Sequence, residues 1–331
     1  MPLYNREIHG ASKKMPDPNI DSFTLSFCSL AEQSFIRGCD YLSRGMEERA
    51  RRSFSTTTGI ESHFMDAWFM LAFIALVNSK PEEARQFLLR ILNEDAPFHG
   101  QYILRFLPNL RMQVNLWEDF AFQVMPTTGD AAAIAARIYL IQNRPREAKK
   151  IIHTAFKKYQ DNPVVSIVWA ETMIADKAPD QVIEEIDKKI FVHDGKSDLD
   201  LLLTHLIGQA HLDLGDYRSG IYHWEGMLSF TREKNPRLTD RFKILLGKAY
   251  ESKGYLQDAF DVYSSVEDQS MYIDADEEVS FVRGKLIEKI KSYKSQGIVK
   301  PLRFTEVHQI PRERPAQGYL ELDHPGGAPA Y

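Results

Sequence analysis

The chain has 331 residues, 44% of them hydrophobic and 26% charged, with a formal net charge of −5. That length holds one large domain or two ordinary ones around a sizeable core, and the mildly acidic balance speaks against non-specific binding to nucleic acid or to anionic membranes. The two cysteines, Cys28 and Cys39, are too few for a disulfide framework or a zinc site of their own, which fits a reducing cytoplasm.

Residues 1–20 are polar and show no periodicity, so they are expected to be disordered. They contain no signal-peptide run. No stretch approaches the roughly 18 apolar residues of a membrane span; the apolar run Ala67–Val77 suits a buried helix instead.

Helix pairs then recur. "IRGCDYLSRGMEERARRSF" offers a small residue on a first helix (Gly38), an aromatic three later (Tyr41), a turn glycine (Gly45), a small residue on a second helix (Ala50) and a bulky one four later (Phe54). "IGQAHLDLGDYRSGIYHW" repeats this with Gly208, His211, Gly215, Gly220 and Trp224, and "LLGKAYESKGYLQDAFDVY" with Gly247, Tyr250, Gly254, Ala259 and Tyr263. Weaker copies centre on Ala72/Ala84, Ala136/Ala148 and Ala170/Val182. This is the pattern of the tetratricopeptide repeat, two antiparallel helices, A and B, in about 34 residues. The small positions of helix B, 50, 84, 148, 182, 220 and 259, are separated by 34, 64, 34, 38 and 39 residues. The step of 64 is one period of 34 plus an insertion of 30. Pro81, Pro145 and Pro179 each fall at the start of a helix B, where a missing N–H costs nothing. Asn78, Ser79, Asn143 and Asp176 precede them as caps or turn residues.

The expected fold is therefore all-α: a right-handed α-solenoid of about six helix pairs, with repeats 1–2 over 21–96, an insertion over 97–128 and repeats 3–6 over 129–267. The insertion contains "NLRMQVNLWEDFAFQV", in which Leu110, Met112, Val114 and Leu116 alternate with polar residues before Phe120, Phe122 and Val124. A period of two predicts a β-hairpin. Two strands alone are marginal in water, so the hairpin must lie on the solenoid, and Trp117 at its turn is a contact candidate. Its role is structural or binding. After a linker, residues 268–296 end in a lysine-rich amphipathic helix expected to cap the solenoid, and 297–331 form a flexible tail rich in proline and glycine.

No phosphate-binding loop, G-x-G-x-x-G or H-E-x-x-H motif occurs, and nothing else gives ground for an enzyme, cofactor or metal. His205 and His211 point to different faces of one helix, and His211, at the aromatic position of its repeat, reads as packing. Function is expected in the concave groove lined by helix A. Its candidate residues, three before or one after the small residue, are Phe35, Phe69, Phe73, Arg137, Glu171, His205, Gln209 and Lys248. Such a groove takes a helical or extended protein segment.

Three stretches carry a family resemblance. "GMEERARRSFSTTTGIESHFMDAW", "LRMQVNLWEDFAFQVMPTTGDAAAIAARIY" and "VEDQSMYIDADEEV" resemble, in order and spacing, the first repeat junction, the strand-forming insertion and the closing segment of one repeat domain. It is the N-terminal tetratricopeptide-like half of the cytosolic AAA+ ATPase of type VII (ESX) secretion systems. The family's ATPase half has no counterpart here, so nucleotide hydrolysis is not carried over. The resemblance implies a cytoplasmic, non-catalytic adaptor or chaperone that engages secretion substrates or components, an AAA+ chain among them. A general repeat scaffold unrelated to secretion, and the stand-alone half of a split ATPase, are the alternatives.

Overall fold

In the computed structural model, which describes residues 27–108, 110, 112–117, 120–187, 198–231, 236–266 and 288, helices alternate as A and B through six pairs. The first is α1 (Leu30–Ser43) with α2 (Glu47–Ile60), and the second α3 (Met65–Val77) with α4 (Pro81–Leu92). A short helix α5 (Gln101–Phe106) and the strands β1 (Met112–Trp117) and β2 (Phe120–Val124) follow. The third pair is α6 (Thr128–Ile141) with α7 (Pro145–Lys158); the fourth is α8 (Pro163–Ala175) with α9 (Pro179–Val182), which runs on as a π turn over Ile183–Asp187. Then come α10 (Asp198–Asp213) with α11 (Tyr217–Thr231), and α12 (Pro236–Lys253) with α13 (Leu256–Ser264). The N-terminal segment, the capping helix and the tail lie outside the described residues, Glu288 apart. Two compact units meet at Thr239/Asp240, inside α12. This is the tetratricopeptide-like solenoid expected, with its two-stranded insertion between the second and third pairs.

The small-to-large rule explains each pair. In α1 a Cβ on Gly38 would stand 2.5 Å from the Phe54 ring, in α10 one on Gly208 would stand 2.4 Å from Trp224 Nε1, and in α12 one on Gly247 would stand 2.3 Å from Tyr263. Where the first helix carries alanine instead of glycine, the residue four after the small position of the second helix is aliphatic: Leu88, Ile152 and Ile186 are buried, as are Ala72, Ala136 and Ala170. The bulky side chain and the small residue are one design, because each fills the space that the other leaves.

The A-to-B turn is also common to all six pairs. Gly45, Ser79, Asn143, Lys177, Gly215 and Gly254 are left-handed, with φ between 56° and 82°. In each turn two N–H groups return to the end of helix A, as Asn143 N to Leu140 O (2.9 Å) and Arg144 N to Tyr139 O (2.9 Å) do in the third pair. That is the Schellman closure, and it satisfies carbonyls the helix end would orphan. Ser79 and Asn143 are thus turn residues rather than caps. Prolines 81, 145 and 179 open α4, α7 and α9, whose flanking residues make no side-chain cap bond. Asp176 closes α8 and takes Lys149 Nζ at 2.8 Å.

Neighbouring pairs are pinned by specific contacts. Tyr139 on α6 lies between two guanidiniums, Arg85 at 4.7 Å and Arg144 at 4.9 Å from its ring centre, and its hydroxyl accepts from Arg85 at 2.6 Å. Trp169 on α8 stacks on Phe156 of α7 at 4.2 Å.

Two substitutions separate packing from propensity. Gly208→Ala improves intrinsic helix propensity by about 1 kcal/mol but drives a methyl into Trp224, at a cost of about 1–3 kcal/mol. Urea unfolding is expected to show a lower midpoint, whereas Gly59→Ala, with open space around its Cβ, raises it. Lys177→Gly, at an exposed φ of 61°, is expected to stabilise by about 0.5–1 kcal/mol, the relief of left-handed strain less the chain entropy that glycine adds.

Candidate functional site

Helix A residues three before the small position are all interior: Phe35, Phe69, Ala133, Ile167 and His205 are between 0% and 4% exposed. The structure therefore moves Phe35, Phe69 and His205 from the expected groove lining into the core. Phe35 packs among the rings of Phe54, Phe64 and Tyr102 at 5.1–6.0 Å. His205 stacks on Trp224 at 5.4 Å, and the indole N–H donates to the His205 carbonyl at 3.2 Å.

Much of that burial comes from the insertion, whose ends meet where Phe98 and Thr128 exchange hydrogen bonds: Phe98 N–H to Thr128 Oγ1 (2.7 Å) and Thr128 N–H to Phe98 O (3.0 Å). Phe98 packs on Phe69 at 5.4 Å. The hairpin pairs Met112 with Val124, Val114 with Phe122 and Gln113 with Gln123, and a bulge falls between Asn115 and Trp117. Met112 and Val124 are 2% exposed, and they cover Phe69, Phe73, Leu76 and Ile134 across a small apolar void. Gln123, one residue along, faces solvent, which is the alternation that the sequence predicts. Phe73 is thus occupied by the chain's own hairpin root. The side chain of Trp117 lies outside the described residues.

Two buried aspartates hold the insertion at its two ends. Asp66 in the first turn of α3 accepts the Ile103 N–H at 2.9 Å and so caps α5. Asp130 in the first turn of α6 accepts the Met125 N–H at 2.5 Å and Asn162 Nδ2 at 2.5 Å. Asn162 in turn caps α8 through Val164 and Val165. Burial pushes both carboxyls above the ordinary aspartate value; hydrogen bonds from Ile103 and Tyr102 N–H to Asp66, and from Asn162 and Met125 to Asp130, only partly offset it. A third anchor is Tyr102 on α5. Its hydroxyl donates to Glu32 at 2.6 Å, a bond that pushes the phenol up to about 12 and lowers Glu32. Glu32 also completes the capping box of α1 with Ser29.

Beyond the insertion, the middle turns of helix A keep a polar row within solvent's reach. In the middle turns of α6, α8 and α10, residues 131–136, 164–170 and 201–208 are buried, and the half-exposed residues next along are Arg137, Glu171 and Gln209. Arg137 and Glu171 are ion-paired between α6 and α8, each side chain 17% exposed. Gln209 Nε2 donates to Asp213 Oδ1 at 2.7 Å. Lys248 is exposed on α12 in the second unit.

His211 has polar neighbours that its place in the repeat does not announce. Its ring is only 12% exposed, yet Nδ1 lies 3.2 Å from Asp216 Oδ2, Nε2 lies 3.4 Å from Asp187 Oδ2, and the ring stacks on His223 at 5.4 Å. Three separate elements contribute, α9, α10 and α11, so no local motif could have announced the cluster.

No family model and no curated protein matches the chain. Among solved structures, it is similar to the N-terminal domain of the EccA1 ATPase from the ESX-1 secretion system of Mycobacterium tuberculosis, with 14% identity and a TM-score of 0.52 over 76% of this chain and 88% of that one. It also aligns with a chain of the APC/C hetero-tetramer Cut9–Hcn1 at 12% identity and a TM-score of 0.45, over 76% of this chain and 42% of that one. The likeness to the EccA1 domain is one of fold. No helix among the described residues is long and apolar enough to cross a membrane.

The buried aspartates make a pH prediction. A carboxyl held above its unfolded value of 3.8 binds its proton more tightly in the folded chain. Its contribution is present in full below that value and is lost as pH rises through the folded one. Asparagine cannot titrate. The stability advantage of wild type over Asp66→Asn should therefore shrink as pH rises from about 4 towards neutrality, read by urea unfolding across a pH series; a gap that widens contradicts this account.

Proposed function

We propose that the chain is a non-catalytic protein-binding adaptor, and that it engages helical or extended protein segments along the row formed by Arg137, Glu171 and Gln209. The observation that carries this reading is the division of the helix A face. The insertion covers it at Phe69, Phe73 and Ile134, and from Arg137 onwards the α6–α10 stretch keeps a polar row within reach of solvent. A row with fixed spacing and a built-in charge pair suits a segment that presents polar or charged groups at helical or extended intervals. The type VII-like setting, with an AAA+ chain as companion in the cytoplasm, rests on the family resemblance of the sequence and on the extent of the EccA1 domain that aligns with it.

Co-purification from source cells with mass spectrometry tests the setting. Recovery of an AAA+ ATPase and small helical secreted proteins supports it; recovery of DNA-binding or signalling proteins alone removes the secretion context. The row itself is tested by charge exchange. Arg137→Ala removes one side of the ion pair and is expected to cost about 1 kcal/mol. The exchange Arg137→Glu with Glu171→Arg keeps an ion pair of inverted sense, so stability returns close to wild type while partner recovery falls at least tenfold. Undiminished recovery with the exchanged pair places the binding surface elsewhere.

A further inference from the structure

Two carboxylates and two imidazoles converge where the fourth and fifth pairs meet, and the adaptor function leaves them unexplained. Asp187 ends the π turn of α9, His211 lies in the last turn of α10, and His223 lies in the middle of α11. One ligand atom from each of the three falls within 4.8 Å of the others. All three are half-buried, so an ion there would be shielded from bulk water while one side stays accessible.

The fourth group, Asp216, decides how His211 is used. In the tautomer that donates Nδ1–H to Asp216, at 3.2 Å, the lone pair sits on Nε2, which faces Asp187 Oδ2 at 3.4 Å. In that tautomer a lone pair stands opposite a carboxylate oxygen, an arrangement that a cation between the two stabilises. The distance is longer than an ordinary N–H···O bond of about 2.7–3.2 Å. It matches the ligand–ligand edge of roughly 3.3 Å that follows from tetrahedral bonds of about 2.0–2.1 Å. A carboxylate that receives the far N–H of a ligating histidine is the usual outer partner of a metal site. The π turn contributes as well: its extra residue per turn re-aims Asp187 towards α10, and such bulges gather at functional positions.

We propose that Asp187, His211 and His223 bind a divalent transition-metal ion of the zinc type, with water in the fourth position and Asp216 orienting His211. Two imidazoles with one carboxylate suit zinc and its neighbours, not calcium or magnesium, which take oxygen. The imidazoles stack with 22° between their planes, so His223 turns about its second side-chain torsion to aim a nitrogen at the ion, a motion that torsion allows. The ion ties α9, α10 and α11 together and fixes the fifth pair against the fourth.

The test uses the full chain after chelator treatment, with zinc chloride as the probe. Isothermal titration is expected to give a single site, and zinc to raise the melting temperature by several degrees, while calcium at the same concentration leaves it unchanged. His223→Ala and Asp187→Asn should each abolish the shift, and Asp216→Asn should weaken zinc roughly 10–100-fold. Far-UV circular dichroism establishes that each variant is folded; should Asp187→Asn unfold, His223→Ala decides, with cobalt(II) absorption in the visible as a second readout. A folded wild type with neither heat of binding nor thermal shift would overturn the proposal and leave His211 as a hydrogen-bonding link between two aspartates. Equal zinc binding in His223→Ala and Asp187→Asn would also overturn it, by placing the ion on other residues.

Discussion

The closest approach between helices A and B governs this chain. At the crossing, one residue must be small and the residue opposite must be large enough to fill what is left. Gly38 with Phe54, Gly208 with Trp224 and Gly247 with Tyr263 leave no room for even a methyl group. Backbone contact at such a point is also seen from the other helix, where a Cβ on Gly220 would come within 2.9 Å of the Gly208 carbonyl. Burial of each large ring contributes about 1.5–3 kcal/mol, and it is available only because the neighbour has no side chain to displace. The left-handed turn follows from the same demand: a short connection has to reverse the chain while the helices stay this close. Glycine is the cheapest residue there, but the closure is kept even where serine, asparagine or lysine must adopt it.

The insertion is integrated into the solenoid through the same repeat grammar. Asp66 and Asp130 are 64 residues apart, the step that also separates Ala84 from Ala148, so they occupy equivalent positions at the starts of two first helices. Each spends its carboxylate on a backbone N–H of the insertion, one at the start of α5 and one just past β2. Burial makes those carboxylates costly as bare charges, and the bonds they accept are what reconcile them to the interior. Tyr102 adds a link to the cap of α1. Insertion side chains therefore stand between α1 and α3 and between α3 and α6, and they set the spacing of the first three pairs as well as covering their inner face.

What could be read from the sequence follows from how local each signal is. The repeat was legible because its small, aromatic and turn positions recur at fixed intervals along the chain, and the hairpin because a period of two stands out against a period of 3.6. The short helix α5 was not: six residues, opened by a left-handed Gly100 and capped by an aspartate 37 positions back in the chain, carry no periodicity of their own. The groove residues Phe35, Phe69 and Phe73 were misplaced for a related reason. Helix periodicity gives the face a residue lies on, and these three do lie towards that face. What then covers it is a tertiary matter, settled by Phe98, Tyr102, Met112 and Val124. Arg137 and Glu171 are half-buried, and their mutual pairing joins helices of separate repeats and leaves no local trace.

The repeat grammar also gives departures from it a meaning. The helix A position three after the small residue is tyrosine in the first, third and sixth pairs, as Tyr41, Tyr139 and Tyr250. In the first and third pairs its ring meets an arginine from the start of the pair's helix B or just before it, Arg49 or Arg144, and in the sixth it meets Tyr255 at the start of helix B. In the fifth pair the same slot holds His211, and its surroundings change with it: a carboxylate at the start of α11, another at the end of α9, and an imidazole facing the ring. An aromatic ring in this slot needs only a flat partner, whereas an imidazole needs a partner for each nitrogen. Asp216 faces one nitrogen and Asp187 the other. Packing alone does not require that arrangement, since tyrosine satisfies the same slot three times over. The second and fourth pairs fill the slot with Ala75 and Met173, whose side chains carry no nitrogen or oxygen, so His211 is the residue there whose side chain can exchange a packing contact for coordination chemistry.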